Sequence, residues 1–176
     1  MSLKYENEAL YQFNNNTNDD SGNSNNLTNN GATLTTGAQG EANGAYDYNG
    51  TSNYMTVANN MFPNDGSTIS MWIKPDFAFT DGLNRVMYDS TSFNYLLQKS
   101  STNRLQLFAG GVSVNIYTST PSWWSTSNWI HLVVVTNATN NTYKLYVDGQ
   151  LDQASTLTHS QVNTTDFNLG SYVGGA

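Results

Sequence analysis

The sequence predicts an all-β protein that folds as an antiparallel β-sandwich of two sheets. Short extended segments recur along the chain with turns about every 8–12 residues, which is typical of sandwiches rather than of alternating strands and helices. No segment shows a helical period of useful length. The clearest single signal is Asp148-Gly149, which separates two extended runs within Asn128–Leu151, because both turn positions of a tight hairpin need a positive φ.

The predicted strands are short and are separated by polar, Gly-containing turns. Residues 14–44 form a long Asn-, Thr- and Gly-rich loop, and Asn49-Gly50 and Gly110-Gly111 are predicted as further hairpin turns. In chain order, the predicted strands are Ala9–Phe13, Thr33–Thr35, Ala45–Tyr48, Tyr54–Val57, Ser67–Lys74, Asn84–Asp89, Phe93–Lys99, Leu105–Ala109, Val112–Thr118, Trp129–Thr136, Thr142–Val147, Leu151–Thr156 and Phe167–Leu169.

Two segments have contrasting strand patterns. Trp129–Val135 is almost continuously apolar, which predicts a central strand covered on both faces. Ser67–Lys74 instead alternates between two faces and ends before Pro75, which cannot donate to a strand ladder. One face carries Ile69, Met71 and Ile73, and the other carries Ser70, Trp72 and Lys74.

Length and composition limit the class of protein. The chain of 176 residues is long enough for one domain with a sizeable core. The formal net charge is −7, and the six Lys and Arg residues are scattered, which argues against binding a nucleic acid. The absence of cysteine excludes disulfides and thiolate chemistry. No apolar stretch approaches the roughly 18 residues of a membrane span.

Four segments in this order resemble the laminin-G-like, concanavalin A-like lectin/glucanase domains of secreted proteins. They are Tyr48–Tyr54, Thr68–Pro75, Trp129–Val133 and Leu145–Gly149. The resemblance implies a jelly roll and a carbohydrate- or surface-binding module within a larger protein. We interpret residues 1–8 as a leader or N-terminal extension and 9–176 as one domain. An extracellular or cell-surface location is expected, with the native signal peptide outside this chain.

The same resemblance implies a calcium site at the sandwich rim. Asp19–Asn25 resembles the Asp-x-Ser-Gly-x-x-Asn loop of the family. By this match Asp19 is the carboxylate ligand, with Ser21 or Asn25 nearby and backbone carbonyls completing the shell, because Ca²⁺ prefers oxygen ligands. The alternative is a loop of Asx turns without an ion.

The family also implies a final strand after Asn168–Ser171 that carries an Ile-Asp-Glu-Val-like motif. The chain stops at Ala176. We therefore predict a jelly roll that lacks this strand and has an open sheet edge, through which two copies could pair as a homodimer.

No pattern of catalytic residues is found. Glycosidases of this fold need two carboxylates close together, whereas the only glutamates are Glu6, Glu8 and Glu41, outside any predicted strand cluster. Most aspartates lie at predicted strand ends or turns, where capping accounts for them. His131 is interpreted as a structural residue within a strand, and His159 lies in a polar loop. A non-enzyme is predicted.

Trp123 and Trp124 are the candidate ligand platform, with Tyr117 as a neighbour. They lie in a polar connection, and aromatic rings stack on the apolar faces of sugars. Trp72 and Trp129 are predicted to be buried because they match core positions of the family. The alternative for the pair is that one ring covers the core and the other contacts a partner molecule.

The leading hypothesis is a non-catalytic module that binds a glycan or another cell-surface or extracellular polymer. A structural or adhesion domain that contacts protein or itself is the alternative, and a glucanase-type hydrolase is the third possibility.

Overall fold

The computed structural model describes residues 8–59, 61–62, 66–90, 95–158 and 165–171. These residues form two packed antiparallel sheets, which confirms the predicted sandwich, and a separate ribbon of two strands. The strands are β1 (Thr28–Asn30), β2 (Thr33–Thr35), β3 (Ala45–Asp47), β4 (Tyr54–Val57), β5 (Gly66–Ile73), β6 (Arg85–Ser90), β7 (Tyr95–Lys99), β8 (Leu105–Ala109), β9 (Val112–Tyr117), β10 (Ile130–Asn137), β11 (Thr142–Val147), β12 (Gln150–Thr156) and β13 (Phe167–Leu169).

The two main sheets differ in width. In the described residues the larger sheet has the order β1-β4-β13-β6-β7-β8-β9, and the smaller has the order β12-β11-β10-β5. The edge strands β9 and β12 lie on the same side of the sandwich, whereas β5 forms the opposite edge of the smaller sheet. The ribbon pairs β2 with β3.

The core lies between the two sheets and consists of the strand side chains that point inward at every second position. On β10 and β11, Leu132, Val134 and Leu145 are at most 2% exposed, and they pack in one cluster with Leu97 and Leu107 of the larger sheet. Because successive strand residues point to opposite faces, the intervening residues face outward. Burial of these aliphatic side chains is the main contribution to folding.

The prediction that Trp129–Val135 is covered on both faces is wrong. Strand β10 is central within its sheet, between β11 and β5, but its residues alternate between buried and half-buried. Its outward side chains, among them Val133 and Val135, are only half-buried. These outward side chains are flanked by β5 and β11, and Trp129 itself precedes the strand and is half-buried.

The predicted burial of Trp72 is also wrong, since 53% of this residue is exposed. Ile69, Met71 and Ile73 of β5 pack against the core. Trp72 lies between Met71 and Ile73 and therefore points to the outer face. The alternation in the sequence already placed Trp72 beside Ser70 and Lys74, and only the family resemblance suggested burial.

Two of the three predicted hairpin turns are confirmed. Asp148 and Gly149 have φ values of 48° and 79°, and Gly110 and Gly111 have φ values of 62° and 78°. Asn49-Gly50 is different, because β3 pairs with β2 and not with β4. There the Asn49 Oδ1 accepts hydrogen bonds from the backbone N–H groups of residues 51, 52 and 53, at 2.9–3.0 Å.

The N-terminal segment is ordered by side-chain contacts rather than by a strand ladder. The predicted strand Ala9–Phe13 is not formed, and Phe13 has a positive φ of 55°. Instead the Tyr11 hydroxyl donates to the Asn25 carbonyl at 2.6 Å. The predicted loop also contains β1, which the sequence did not reveal because Thr28-Asn29-Asn30 carries no apolar residue to mark a strand.

Candidate functional site

The candidate site lies where the edge strands of the two sheets meet, and we call it the rim cluster: Tyr117, Trp123, Asp152 and Gln153. Tyr117 ends β9, and Asp152 and Gln153 lie in β12. The Tyr117 hydroxyl donates a hydrogen bond to Oδ2 of Asp152 and accepts one from Nε2 of Gln153 at 3.3 Å. Side chains of both sheets are thus joined at one point on the side of the sandwich.

Trp123 completes the rim cluster from the connection between β9 and β10. Its Nε1 donates to the Tyr117 hydroxyl at 3.3 Å, and the two rings meet edge to face with centroids 5.9 Å apart at 78°. This is a favoured arrangement of aromatic rings. Trp123 is half-buried, so part of its indole remains at the surface.

Trp124 points to the core. Its Nε1 donates to the Phe77 carbonyl at 3.3 Å, and its ring meets Phe79 edge to face at 5.0 Å. Phe79 is 2% exposed, so Trp124 covers buried apolar surface. The structure therefore brings Tyr117, Trp123 and Trp124 together, with the Trp124 ring over the core and the Trp123 ring beside Tyr117.

The Tyr117 hydroxyl donates one hydrogen bond and accepts two within the cluster, which is its full capacity. Partial burial and the hydrogen bond to Asp152 raise the pKa of Tyr117, so the phenol keeps its proton. Oδ1 of Asp152 and Oε1 of Gln153 accept no hydrogen bond from the described residues. Beside the Trp123 ring, these two oxygens could accept hydrogen bonds from hydroxyl groups of a ligand.

Sequence reasoning missed Asp152 and Gln153 as site residues. Asp152 lies near the start of the predicted strand Leu151–Thr156, where capping accounts for an aspartate, and no motif marks Gln153. Strands β9 and β12 belong to different sheets, so no pairing rule relates their residues. A bulge between Leu145 and Tyr146 shifts the register of β11 and β12, and alternation alone therefore could not predict which β12 residues face the rim.

A row of amides on the larger sheet was also missed. Gln98 donates to Gln106 at 3.1 Å, and Gln106 donates to Asn115 at 2.9 Å, across β7, β8 and β9. The sequence contains a weak signal for it, since all three residues are strand amides. Their register could be read only once the strands were paired.

The predicted calcium ligands also come together, but as a hydrogen-bonded loop. Oδ1 of Asp19 accepts from the backbone N–H groups of Leu10 and Ser21, both at 2.9 Å. Oδ2 accepts from the Ser21 hydroxyl at 2.8 Å and from the Asn25 N–H at 2.9 Å. Asn25 in turn donates its side-chain N–H to the Glu8 carbonyl at 2.7 Å.

This arrangement does not suit a calcium ion at Asp19. Ca²⁺ needs oxygen lone pairs, and four donors already occupy the carboxylate. Burial raises the pKa of Asp19, but the hydrogen bonds from Leu10, Ser21 and Asn25 outweigh it and lower the pKa overall. Among the described residues, no three His, Cys, Asp or Glu side chains are grouped as metal ligands. Calcium binding therefore stays a prediction of the family resemblance alone.

The sequence matches the family described as the concanavalin A-like lectin/glucanases superfamily over residues 49–176. The chain belongs to this superfamily. Among curated proteins, none matches the chain significantly. Within the part of the chain that the structure describes, no helix is long and apolar enough to cross a membrane.

Solved structures of the superfamily fold are similar to the chain at low sequence identity. A mutant of HCR/D is 16% identical, with a TM-score of 0.70, covering 92% of this chain and 42% of that one. A structure of botulinum neurotoxin type C, whose cell entry is described as dependent on interaction with two ganglioside molecules, is 16% identical, with a TM-score of 0.66 and coverages of 92% and 41%. This chain therefore spans about two fifths of both.

Domain 4 of an extracellular arabinanase from Geobacillus stearothermophilus is similar over most of its length. It is 19% identical, with a TM-score of 0.66, and the match covers 94% of this chain and 83% of that domain. That structure contains arabinotriose. At 19% identity, this similarity shows that the present chain and the arabinanase domain share a fold.

Proposed function

We propose that the chain is a non-catalytic carbohydrate-binding module of an extracellular protein and that it binds saccharides at the rim cluster. The observation that carries this proposal is the exposed part of the Trp123 ring beside Oδ1 of Asp152 and Oε1 of Gln153. A saccharide presents C–H faces for stacking and hydroxyls for hydrogen bonding, and the rim cluster offers a partner for each.

The arabinanase domain supports this proposal and suggests the first ligand to test. It matches the present chain almost as a whole, and its structure was solved with arabinotriose. The described interaction of the neurotoxin with gangliosides supports it less, because the match covers only 41% of that chain. The extracellular origin of the arabinanase also supports an extracellular location for this chain.

The acidic residues of the sheets favour binding over hydrolysis. In the described strands of the larger sheet, the only carboxylate is Asp89, which is 0% exposed. A glycosidase needs two carboxylates on either side of the scissile bond. The smaller sheet contributes Asp152, which already accepts the Tyr117 proton.

The experiment is a calorimetric titration with arabinotriose, accompanied by a glycan array. Trp123→Ala should weaken the affinity about tenfold, the loss expected for one aromatic stack on a sugar. Leu34→Ala is the matched control, because Leu34 is 38% exposed in the distant β2 ribbon. Unchanged affinity in Trp123→Ala, or no saccharide bound at all, would contradict the proposal.

A second candidate function is self-association through the edge of β5. This eight-residue strand pairs only with β10 in the described residues. Its inward residues Ile69, Met71 and Ile73 are only half-buried, whereas Leu132 of β10 is fully buried. An edge strand of this length presents backbone groups that can pair with a second copy. Sedimentation equilibrium should then show dimers that increase with concentration, and a constant monomer mass would contradict this function.

A further inference from the structure

The outer face of the smaller sheet carries an exposed tryptophan that the rim cluster does not use. Trp72 of β5 lies directly opposite His131 of β10. It is 53% exposed, the highest exposure among the described tryptophans. An exposed indole ring offers the apolar face of a sugar a surface to stack on.

The Trp72 ring is held in place from one side. It stacks on the His131 imidazole with centroids 5.0 Å apart and planes 29° apart. The His131 ring is in turn fixed by a hydrogen bond of 2.8 Å between Nε2 and the Ser70 hydroxyl. The stack therefore needs little ordering when a ligand binds.

The opposite face of the Trp72 ring is open. In the described residues β5 has a neighbouring strand only on the β10 side, where His131 lies. One ring face is thus covered by His131, and no strand flanks the other. An aromatic ring with one covered and one open face is a stacking platform for a flat, partly apolar ring.

The charges on this outer face are positive, in contrast to the chain as a whole. The strands β5, β10 and β11 contain no carboxylate. Lys144 of β11 is exposed on this face, and Lys74 is exposed directly after β5. Among the described residues the ion pairs join Asp81 to Arg85 and Lys99, and neither Lys74 nor Lys144 forms one.

Two exposed carboxylates lie in a turn and a loop next to this face, and in the described residues neither pairs with Lys74 or Lys144. Asp148 is exposed, and its Oδ1 accepts a hydrogen bond from the His131 backbone at 2.9 Å. Asp76 is exposed in the loop that follows Lys74, and Asp152 of β12 is bound to Tyr117 at the other edge. Although the chain has a net charge of −7, the two lysines of this face can therefore pair with an anionic ligand.

The positions of the two lysines suit an extended ligand. Lys144 lies opposite Val135, four residues along β10 from His131, which corresponds to about 13 Å. Lys74 lies two residues beyond Trp72 in the other direction. Trp72 therefore lies between the two cations, and a short oligosaccharide can reach from the ring to either one.

We propose that the face formed by Trp72, Lys74 and Lys144 is a second saccharide site, specific for acidic sugars of the uronic acid type. A pyranose ring stacks on the open face of Trp72, and sugar carboxylates pair with the lysines. This site is separate from the rim cluster and differs from it in the charge of its ligand. It does not require the rim cluster to bind anything.

The test is a titration of the full chain with an oligogalacturonate, followed by calorimetry and by tryptophan fluorescence. Trp72→Ala should weaken the affinity about tenfold, and Lys74→Gln with Lys144→Gln should weaken it about fivefold and remove most of its dependence on salt. Leu151→Ala is the matched control on the same sheet, since Leu151 is 56% exposed on β12, and it should bind as the wild type does.

Competition separates this proposal from the proposed function. Saturating arabinotriose should leave oligogalacturonate binding unchanged, and displacement would overturn the second site. No binding of oligogalacturonate, equal affinity for a neutral gluco-oligosaccharide, or full affinity in Trp72→Ala would each overturn it as well. Failure of arabinotriose to bind the wild type would contradict the rim cluster alone.

Discussion

The Tyr117 hydroxyl donates a hydrogen bond to the carboxylate of Asp152 and so joins an edge strand of one sheet to an edge strand of the other. The same oxygen accepts hydrogen bonds from Trp123 and Gln153. One phenol thus organises the candidate saccharide site and helps to close the sandwich, and its removal has consequences for both.

Tyr117→Phe should lower the free energy of unfolding by about 1–3 kcal/mol, because it leaves three half-buried polar groups without their partner. Urea denaturation measures this change. Tyr46→Phe is the matched control, since Tyr46 is also half-buried and packs against Phe13, but its hydroxyl has no hydrogen-bond partner among the described residues. Equal effects of the two substitutions would contradict a specific role of the Tyr117 hydroxyl.

Trp124→Ala should destabilise the protein by about 2–3 kcal/mol, since it uncovers Phe77 and Phe79 and leaves a cavity beside them. Trp123→Ala should lower the stability less than Trp124→Ala does and should weaken saccharide binding more. Thermal melting and titration of both variants separate the two roles. A larger loss of stability in Trp123→Ala than in Trp124→Ala would reverse our assignment.

Asp19→Asn should lower stability at neutral pH by about 1–3 kcal/mol, because the four hydrogen bonds lose their charged acceptor. The pKa of Asp19 is lowered in the folded state, so this stabilisation is complete above the unfolded pKa of about 3.9 and is lost as the pH falls through the folded pKa. The difference in urea midpoint between wild type and variant should therefore narrow towards pH 2. A constant difference would show that the charge contributes nothing.

Calcium should not change the melting temperature through the Asp19 loop, because four donors already occupy the Asp19 carboxylate. The measurement compares millimolar calcium with a chelator, since a ligand that binds the native state must raise the midpoint. A rise of several degrees that Asp19→Asn abolishes would restore the calcium site implied by the family resemblance.

Lys99→Met should destabilise the protein by about 3 kcal/mol, the usual cost of removing one member of a buried ion pair. The Lys99 side chain is 0% exposed and donates to Asp81 and to the Leu83 carbonyl. Burial raises the pKa of Asp81, but its bonds to Lys99, Leu83 and Arg85 lower it overall. Adding Asp81→Asn to Lys99→Met should recover part of the loss, and additive effects of the two changes would contradict a coupled pair.

The local rules of the sequence predicted the fold well wherever neighbouring segments pair. Asp148-Gly149 and Gly110-Gly111 are hairpins because each turn and its two strands are consecutive in the chain. Asn49-Gly50 has the same chemistry, but β3 pairs with β2 instead, so the turn joins strands of different sheets. The choice depends on packing between distant segments, which no dipeptide encodes.

The site was only partly predictable for the same reason. The aromatic members Tyr117 and Trp123 could be found because adjacent tryptophans are rare in a polar connection. Asp152 and Gln153 could not, since their contact with Tyr117 spans 35 and 36 residues and two sheets. For Trp72, the alternation of residues along the strand correctly indicated an outward position, whereas the family resemblance wrongly predicted burial.

The turn at Asp148 has a practical consequence for protein engineering. Asp148 binds the backbone of His131 twice, through its own N–H at 2.9 Å and through Oδ1 at 2.9 Å. Residues inserted there would separate both contacts and shift the stacked Trp72. An insertion at the exposed Gly111 would leave both of these contacts intact, which makes it the better place to graft a tag or a new loop.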